Sequence, residues 1–477
     1  MPIYGVTTGF GDSNTEQVAA ERAGGLQEHL LQFLLCGTGP CVPDEVVRAT
    51  ILIRANCLAR GVSGVRPSVV EQLLALLEHD VLALVPEHGS VGASGDLIPL
   101  AYVAQTLTGH GDVLHRGRRT SASAALERVG LAPLALEAKE GLALVNGTSF
   151  MSALACLALG HAHLIADAAE AATALAVEVL CGNTGHYDDF LQAHKPHPGQ
   201  RASAQAIRAR LCGSRLAVDP VQVRTRTPDL GGRPHQHLDH DVQDRYSLRC
   251  APHVIGVLRD TLAWAGRWLT VEINSADDNP LFDAQDVAVH SGGNFYGGHV
   301  CQAMDALKTA VASVADLLDR QLALLVDGRY NRGLPANLAP GDTGGAAEAG
   351  MNHGYKGVQI ACSALTAEAL RRTAPAAVFS RSTEAHNQDK VSLGTHAARD
   401  ARDVTELTVA VLAHHLHAAC QAADLRGPHL LSPAGRALHA AVRTVAGPLA
   451  GDRPLAGELA ALARHLNHAQ EPLGRPC

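Results

Sequence analysis

The sequence is poor in aromatic and charged side chains and has no excess of positive charge. Only 3% of its 477 residues are aromatic and 18% are charged, and the formal net charge is −8. A nucleic-acid-binding face requires clustered basic residues, so this balance argues against a nucleic-acid partner. The eleven cysteines form no Cys-x-x-Cys pair and no dense framework. They therefore indicate reduced thiols in a cytoplasmic protein.

Uninterrupted hydrophobic runs of membrane-spanning length are also missing. The most apolar long stretch, residues 149–180, is broken by His161, His163, Asp167 and Glu170. It therefore predicts a buried helix and no membrane association. The first residues run directly into sequence that is typical of folded protein, so we expect no signal peptide.

Long segments rich in alanine and leucine dominate the second part of the chain and favour helices. Because they are apolar on nearly all faces, they belong inside a helical bundle or in a subunit interface. The sequence predicts a mainly α fold, with an N-terminal α+β lid domain over residues 1–148 and a long-helix bundle over residues 149–477. The predicted long helices cover Met151–Leu180, Ser247–Val271, His299–Leu325, Tyr355–Arg372 and Ala397–Ala423.

The turn Ala93-Ser94-Gly95 lies between an apolar strand-like segment and an amphipathic helix. Such a turn can close on itself when the Gly95 nitrogen attacks the Ala93 carbonyl carbon and Ser94 loses its hydroxyl. The product is a methylidene-imidazolone (MIO) ring, an electrophile that no coded side chain offers. Glycine is the residue best able to adopt the dihedrals that this closure needs. The same residues also fit an ordinary turn in which Asp96 caps the following helix.

Seven segments resemble, in the same order, the motifs of the histidine and aromatic amino-acid ammonia-lyases, a family that also contains aminomutases. The matches extend from residue 4 to residue 389 and so cover most of the chain. The segments are Tyr4–Gly11, Gly92–Leu97 with Pro99 and Leu100, Leu142–Thr148, Gln243–Arg249, Asp278–Pro280, Gly292–Phe295 and His386–Asp389.

The resemblance implies that Ala93, Ser94 and Gly95 form the MIO group, with no external cofactor and no metal. The methylidene carbon derived from Ser94 would take the amine of the substrate, and Tyr4 would remove the β-proton. A free tyrosine has a pKa of about 10. We therefore expect the site to lower the pKa of Tyr4, so that some phenolate exists near neutral pH.

Five further residues match positions of the family's active site, two of them catalytic (Asn146 and Tyr246) and three of them in substrate binding (Arg249, Gln243 and Asn294). Arg249 matches the arginine that holds the carboxylate with two parallel hydrogen bonds. Tyr246 and Asn146 match residues beside the MIO group that donate hydrogen bonds to developing charge. Gln243 and Asn294 are expected to shape the site, although a structural turn explains Asn294 equally well.

Four residues bear on the substrate. The pair Phe33-Leu34 falls where family members line the ring pocket, and it resembles the phenylalanine-type pair. At this position histidine lyases carry a pair that resembles Ser-His, and tyrosine lyases carry a pair that resembles His-Leu. A buried phenol hydroxyl without a partner costs about 1–3 kcal/mol, so an apolar pair suits a phenyl ring. Gln388 stands where histidine lyases carry glutamate, and Tyr102 where they typically show histidine.

The sequence therefore predicts an ammonia-lyase that converts an aromatic L-amino acid, preferably of the phenylalanine type, into a trans-cinnamate-type acid. An aminomutase remains an alternative, because it uses the same ring and base and then returns the ammonia to the β-carbon. Tyrosine and histidine lyases and an inactive scaffold homologue also remain. The histidines of 235–241 have a spacing that could bind zinc, but a polar loop is the favoured interpretation.

The family resemblance further implies a homotetramer in which three chains build each active site. The long apolar helices agree with this, since one chain cannot cover them all. Family members usually carry a longer segment before the tyrosine loop, whereas Tyr4 is the fourth residue here. Terminal residues fray unless they are tied down, so we expect this loop to be poorly held.

Overall fold

The computed structural model describes residues 2–340 and 350–468, and it confirms the mainly helical fold. The helices are α1 Ala23–Leu34, α2 Asp44–Leu58, α3 Pro67–Glu78, α4 Leu97–Leu107, α5 Ala122–Arg128, α6 Glu140–Val145, α7 Ser149–Val179, α8 Asp189–Ala193, α9 Pro198–Leu211, α10 Pro220–Arg226, α11 Tyr246–Arg249, α12 Ala251–Ile273, α13 Gly298–Val326, α14 Lys356–Arg371, α15 Gly394–Arg426, α16 Pro433–Arg443 and α17 Ala456–His468. The strands are β1 Thr38–Cys41, β2 Val81–Ala83, β3 Pro86–His88, β4 Asp112–His115, β5 Arg118–Ser121, β6 Leu281–Asp283 and β7 Ala288–His290.

The five long helices that the sequence predicts are α7, α12, α13, α14 and α15, with ends that differ by a few residues. Their alanine and leucine side chains have high helix propensity and little rotamer entropy to lose. Many of these side chains are fully buried, for example Ala155, Leu262 and Leu318. Packing of apolar faces is therefore what stabilises these helices.

The strands form three small antiparallel sheets, in the orders β1-β3, β2-β4-β5 and β6-β7. Strands β4 and β5 make a hairpin whose two connecting residues, Arg116 and Gly117, have φ of 51° and 73°. Positive φ at both positions is the requirement of a tight two-residue hairpin turn.

Two compact units make up the chain, and each consists of three stretches. The first contains Met1–Ala158, Ala265–Asp305 and Ala374–Arg402; the second contains Leu159–Trp264, Ala306–Thr373 and Asp403–Cys477. This division differs from a single boundary after residue 148. The reason is that later segments bond to the N-terminal stretch: Asp277 accepts from Thr148, and Thr395 donates to Asp96.

Within the first unit, two packed helices position the Ala93-Ser94-Gly95 turn. Helix α4 begins two residues after Gly95, and α6 ends at Val145, one residue before Asn146. Leu100 and Leu144 are among their buried side chains. The end of one helix and the start of the other therefore meet at the turn.

By length and composition alone, helix α7 could cross a membrane. In the structure, 61% of its most apolar window is buried inside the protein. Such burial is typical of the core helix of a folded domain, as the sequence predicts.

Candidate active site

The Ala93-Ser94-Gly95 turn has a backbone that few residues adopt. Ser94 has φ of 49° and Gly95 has φ of 77°. The Gly147 amide donates to the Ser94 carbonyl at 3.0 Å, and the Asp96 amide donates to the Gly147 carbonyl at 2.8 Å. A Cβ atom on Gly95 would overlap the Gly147 carbonyl group. Only glycine fits this position, because backbone presses directly on backbone.

Asp96 is completely buried and does not cap α4 with its side chain, contrary to one interpretation of the sequence. Its carboxylate accepts from the Met151 amide in the first turn of α7 at 2.7 Å. It also accepts from the Ser90 hydroxyl at 2.8 Å and from the Thr395 hydroxyl. Burial raises the pKa of Asp96 to about 6, and the three donors oppose that shift. Asp96 therefore ties the turn to the first turns of α7 and α15.

A cavity of about 420 Å³ opens beside the turn. The predicted site residues that line it are Tyr4, Ala93, Ser94, Asn146 and Gln388. Its other lining residues are Asn14, Gly92, Asn279, Ser291, Phe295, Tyr296, Asn387, Asp389, Lys390 and Val391. Asn279, Phe295, Asn387 and Asp389 belong to the motifs noted in the sequence, whereas no sequence signal indicated Asn14, Ser291, Tyr296 or Lys390.

Asn146 follows α6 and is only 2% exposed. Its backbone carbonyl accepts from Arg54 at 2.8 Å. Its side-chain Oδ1 has no hydrogen-bond partner among the residues that the structure describes. An unpaired amide oxygen at a cavity wall is costly unless a ligand or water satisfies it. Asn146 is therefore placed to contact whatever occupies the cavity.

Tyr4 is held by backbone contacts. Its hydroxyl oxygen accepts from the Gly11 amide at 3.0 Å, and Gln27 donates to the Gly5 carbonyl at 2.9 Å. The loop is therefore tied to α1, whereas we expected fraying. Burial raises the pKa of Tyr4, the Gly11 amide opposes that rise, and the charge of Glu384 adds to it. The expected lowering of the pKa is therefore not produced by the described residues of a single chain.

Gln388 reaches the turn from a distant part of the sequence. Its amide Nε2 donates to the Ser94 hydroxyl at 3.4 Å, and its Oε1 accepts from Thr383 at 2.7 Å. The three residues Glu384, Ala385 and His386 all have positive φ. This left-handed turn is strained for residues other than glycine, and strain of this kind concentrates at functional sites.

The pair Phe33-Leu34 does not line the cavity beside Ser94. Phe33 is 54% exposed and borders a second cavity of about 420 Å³ that also contacts Phe10 and Glu384. Leu34 is 5% exposed and packs in the core. Helical periodicity explains this difference, since successive residues of α1 point in directions about 100° apart. The ring-pocket role of the pair stays a prediction.

Asn294 is exposed, and its amide donates to the Ala276 carbonyl at 3.1 Å. This bond joins two loop segments, so the contact agrees with the structural alternative. Tyr102 lies on α4, and its hydroxyl donates to the Gly37 carbonyl at 3.4 Å. Neither residue lines the cavity beside Ser94.

Gln243, Tyr246 and Arg249 belong to the second unit. Tyr246 begins α11 and is 70% exposed, and the Arg249 guanidinium lies 4.6 Å from its ring centroid. Arg249 also donates to the Gln243 side chain. The three side chains thus form one cluster, in which the half-buried arginine is held over the face of an exposed aromatic ring.

No group of three or more metal-ligating side chains occurs within residues 2–340 and 350–468. His240 instead bonds to its neighbour Asp239 at 2.8 Å and to Thr227 at 3.3 Å.

The family described as "Aromatic amino acid lyase" matches residues 1–444. The chain belongs to this family. It is 43% identical to a tyrosine ammonia-lyase of Cereibacter sphaeroides over 472 residues, 97% of this chain and 88% of that relative. It is 40% identical to a histidine ammonia-lyase of Symbiobacterium thermophilum over 469 residues, with 98% and 88% covered.

Solved structures of aromatic amino acid lyase relatives share the fold. A tyrosine aminomutase from Streptomyces globisporus matches with a TM-score of 0.93 and 38% identity, covering 98% of this chain and 88% of that one. A phenylalanine aminomutase from Pantoea agglomerans matches with a TM-score of 0.93 and 34% identity, covering 98% and 89%. Membership makes the protein an enzyme of the carbon–nitrogen lyase type, whose relatives act on tyrosine, histidine or phenylalanine.

Aromatic amino acid lyases use an MIO group that forms from their own backbone. Three observations show that the turn of this member fits the group. Ser94 and Gly95 already have positive φ, Gly147 presses on Gly95, and the Asn146 Oδ1 beside the turn lacks a partner among the described residues.

Proposed function

We propose that the protein is an aromatic amino acid ammonia-lyase that releases ammonia from an L-amino acid of the phenylalanine type and leaves a trans-cinnamate-type acid. The observation that carries the proposal is one cavity of about 420 Å³ lined by Tyr4, Ser94, Asn146 and Gln388. An acceptor for a proton, the source of an electrophile and two amides thus surround one space. This set matches the needs of an elimination in which a weakly acidic β-proton and a poor leaving group depart.

When formed from Ala93-Ser94-Gly95, the MIO group supplies an electrophilic carbon for the substrate's amine. Tyr4, as phenolate, accepts the β-proton. Asn146 supports the proposal through its unpaired Oδ1, which can accept a hydrogen bond at the cavity wall. Gln388 positions its amide beside Ser94 and carries no charge. Because burial raises the pKa of Tyr4, the reaction should favour alkaline conditions.

Arg249 and Tyr246 complete the proposal from the second unit. We infer that they hold the carboxylate and stabilise charge at a site of a neighbouring chain, within a homotetramer. The exposure of Tyr246 supports this role, as does the exposure of Val257 and Val271 on the apolar helix α12. On a sizing column the active species should be a tetramer, and activity in a monomer fraction would contradict the assembly. None of the ten described cysteines is in a disulfide bond, which supports a cytoplasmic location.

An assay with phenylalanine, tyrosine and histidine in parallel tests the substrate. We expect the unsaturated acid, followed by its absorbance, to form fastest from phenylalanine. Phe33→His tests the ring-pocket role of the pair, which stays a prediction because Phe33 does not line the cavity beside Ser94. If the role holds, the preference moves toward tyrosine, because a phenol hydroxyl gains a partner worth about 1–3 kcal/mol. Phe33→Leu, which adds no polar group at the same position, is the matched control. Faster turnover of histidine or tyrosine by the unaltered protein would refute the phenylalanine preference.

A 2,3-aminomutase is the second candidate. The observation in its favour is the TM-score of 0.93 to both a tyrosine and a phenylalanine aminomutase. NMR of the products from L-phenylalanine separates the two reactions. Cinnamate alone supports the lyase, whereas β-phenylalanine supports the mutase.

Intact mass tests the catalytic account against an inactive scaffold. Formation of the MIO group removes two waters, about 36 Da. An unshifted mass in folded protein would favour the scaffold.

A further inference from the structure

Gly147 lies between the reactive turn and a buried ion pair. On one side, a Cβ atom on Gly95 would overlap the Gly147 carbonyl group. On the other side, a Cβ atom on Gly147 would overlap Arg54 Nη1 and come within 2.8 Å of Asp277 Oδ1. Three layers are therefore in direct contact: the turn, the backbone of Gly147, and the Arg54–Asp277 pair.

The ion pair holds the segment 146–148, which contains Gly147, at both ends. Arg54 donates through Nη1 to the Asn146 carbonyl at 2.8 Å and through Nη2 to Asp277 Oδ1 at 2.7 Å. Asp277 Oδ2 accepts from the Thr148 amide at 2.7 Å and from its hydroxyl at 2.9 Å. The residue before Gly147 and the residue after it are thus both bonded to one charged pair.

Burial of this pair costs free energy, because both charges lose their contact with water. The side chains of Arg54 and Asp277 are 0% and 3% exposed. Desolvation of two charges commonly cancels their attraction, so a buried pair is weak evidence for a stabilising role. What such a pair does offer is directional bonding, since a guanidinium presents its donors in a fixed fork. Here the fork reaches the backbone that contacts the turn.

The pairing of Gly147 with the turn also suits ring closure. Gly147 bonds to the Ser94 carbonyl and the Asp96 amide, so this pairing does not engage the Gly95 amide. In the closure, the Gly95 nitrogen bonds to the Ala93 carbonyl carbon. The Ala93 oxygen leaves as water with the amide protons of Gly95 and Ser94. The Ser94 hydroxyl leaves as a second water with its own α-proton, and no oxidant is needed.

We propose that Arg54 and Asp277 are positioning residues for formation of the MIO group, because they fix the segment 146–148 against the turn. This inference rests on the proposed function, which requires the ring. Neither residue touches the reacting atoms. Their effect passes through Gly147, whose position sets how closely the Gly95 nitrogen approaches the Ala93 carbonyl carbon.

The test is a time course of intact mass on freshly folded protein, with Arg54→Lys and Asp277→Asn as variants. Lysine keeps the charge but lacks the fork, and asparagine keeps the shape but loses the charge. We expect loss of the two waters to be slower by at least about tenfold, since small misplacements of reacting groups cost one to two orders of magnitude. Thr148→Val provides a milder variant that removes one hydroxyl, which contacts Asp277 at 2.9 Å and Glu272 at 2.6 Å, and keeps the bond of the Thr148 amide to Asp277.

A buried pair away from the turn gives a matched control. Arg259 and Glu170 of the second unit bond at 2.8 Å, with side chains 22% and 2% exposed, and no described bond joins either residue to residues 146–148. Arg259→Lys makes the same chemical change as Arg54→Lys, and it should lower the unfolding temperature yet lose both waters at the rate of the unaltered protein. Normal ring formation in Arg54→Lys and Asp277→Asn, or equal slowing in Arg259→Lys, would overturn the inference. If the unaltered protein keeps its full mass, the proposed function itself fails.

Discussion

The buried side chain of His415 should make the free energy of unfolding depend on pH. Its side chain on α15 is fully buried, and neither ring nitrogen has a hydrogen-bond partner among the described residues. Burial lowers the pKa of His415 to about 3, whereas an unfolded chain has a histidine pKa of about 6.5. At pH values between these two pKa values, the His415 side chain binds a proton in the unfolded state and stays neutral in the folded state.

The sign and size of the effect follow from proton linkage. The stability is fully present above pH 6.5 and is lost as the pH falls, because protonation then favours the unfolded state. Each pH unit costs about 1.4 kcal/mol. At pH 5, which is about 1.5 units below the histidine pKa of the unfolded chain, the side chain is protonated in the unfolded state. The free energy of unfolding is therefore about 2 kcal/mol lower at pH 5 than at pH 7.5.

Replacement of His415 by leucine removes this pH-dependent loss of stability. The free energy of unfolding of His415→Leu minus that of the unaltered protein should therefore grow by about 2 kcal/mol between pH 7.5 and pH 5. Urea titrations at one fixed protein concentration measure it, since subunit association would otherwise alter the apparent stability. The exposed His465, changed to glutamine, is the control and should show no such growth. A difference that is independent of pH would refute the reasoning.

Two further substitutions test the catalytic assignments. Glu384→Gln removes a charge that raises the pKa of Tyr4, so the rise of kcat/KM with pH should move to lower pH; an unchanged profile would contradict that coupling. Arg249→Lys keeps the charge but loses the two-pronged grip on a carboxylate. A loss of about 1.5–3 kcal/mol lowers kcat/KM by roughly 10- to 150-fold, and unaltered steady-state kinetics would exclude Arg249 from binding the substrate.

Short-range patterns predicted much of this architecture. The alanine- and leucine-rich segments gave the five long helices within a few residues, because propensity and apolar periodicity agree over more than fifteen positions. The motifs also pointed to Tyr4, Ser94, Asn146 and Gln388, which line one cavity in the structure. The order of the motifs along the chain indicated that these residues belong together, but no local pattern gives the distances between them.

Other features could not be read from the sequence. The bond of Asp96 to the Met151 amide needs two helices to meet, so a helix cap on α4 was the local expectation. The raised pKa of Tyr4 depends on burial and on Glu384, which lies 380 positions further along the chain. Phe33 and Leu34 are neighbours in sequence, yet the helix turns one toward a second cavity and the other into the core.

The sequence by itself determined the helical architecture, the family and the chemical types of the residues around the turn, because propensity, periodicity and motif order are local or ordered along the chain. The tertiary structure alone decided the pKa values, the partners of buried groups and the contact of Gly147 with Arg54. Those depend on desolvation and on close approach between residues that are up to a few hundred positions apart, as Arg54 and Asp277 are. Burial and distance are properties of the folded chain, and no single segment contains them.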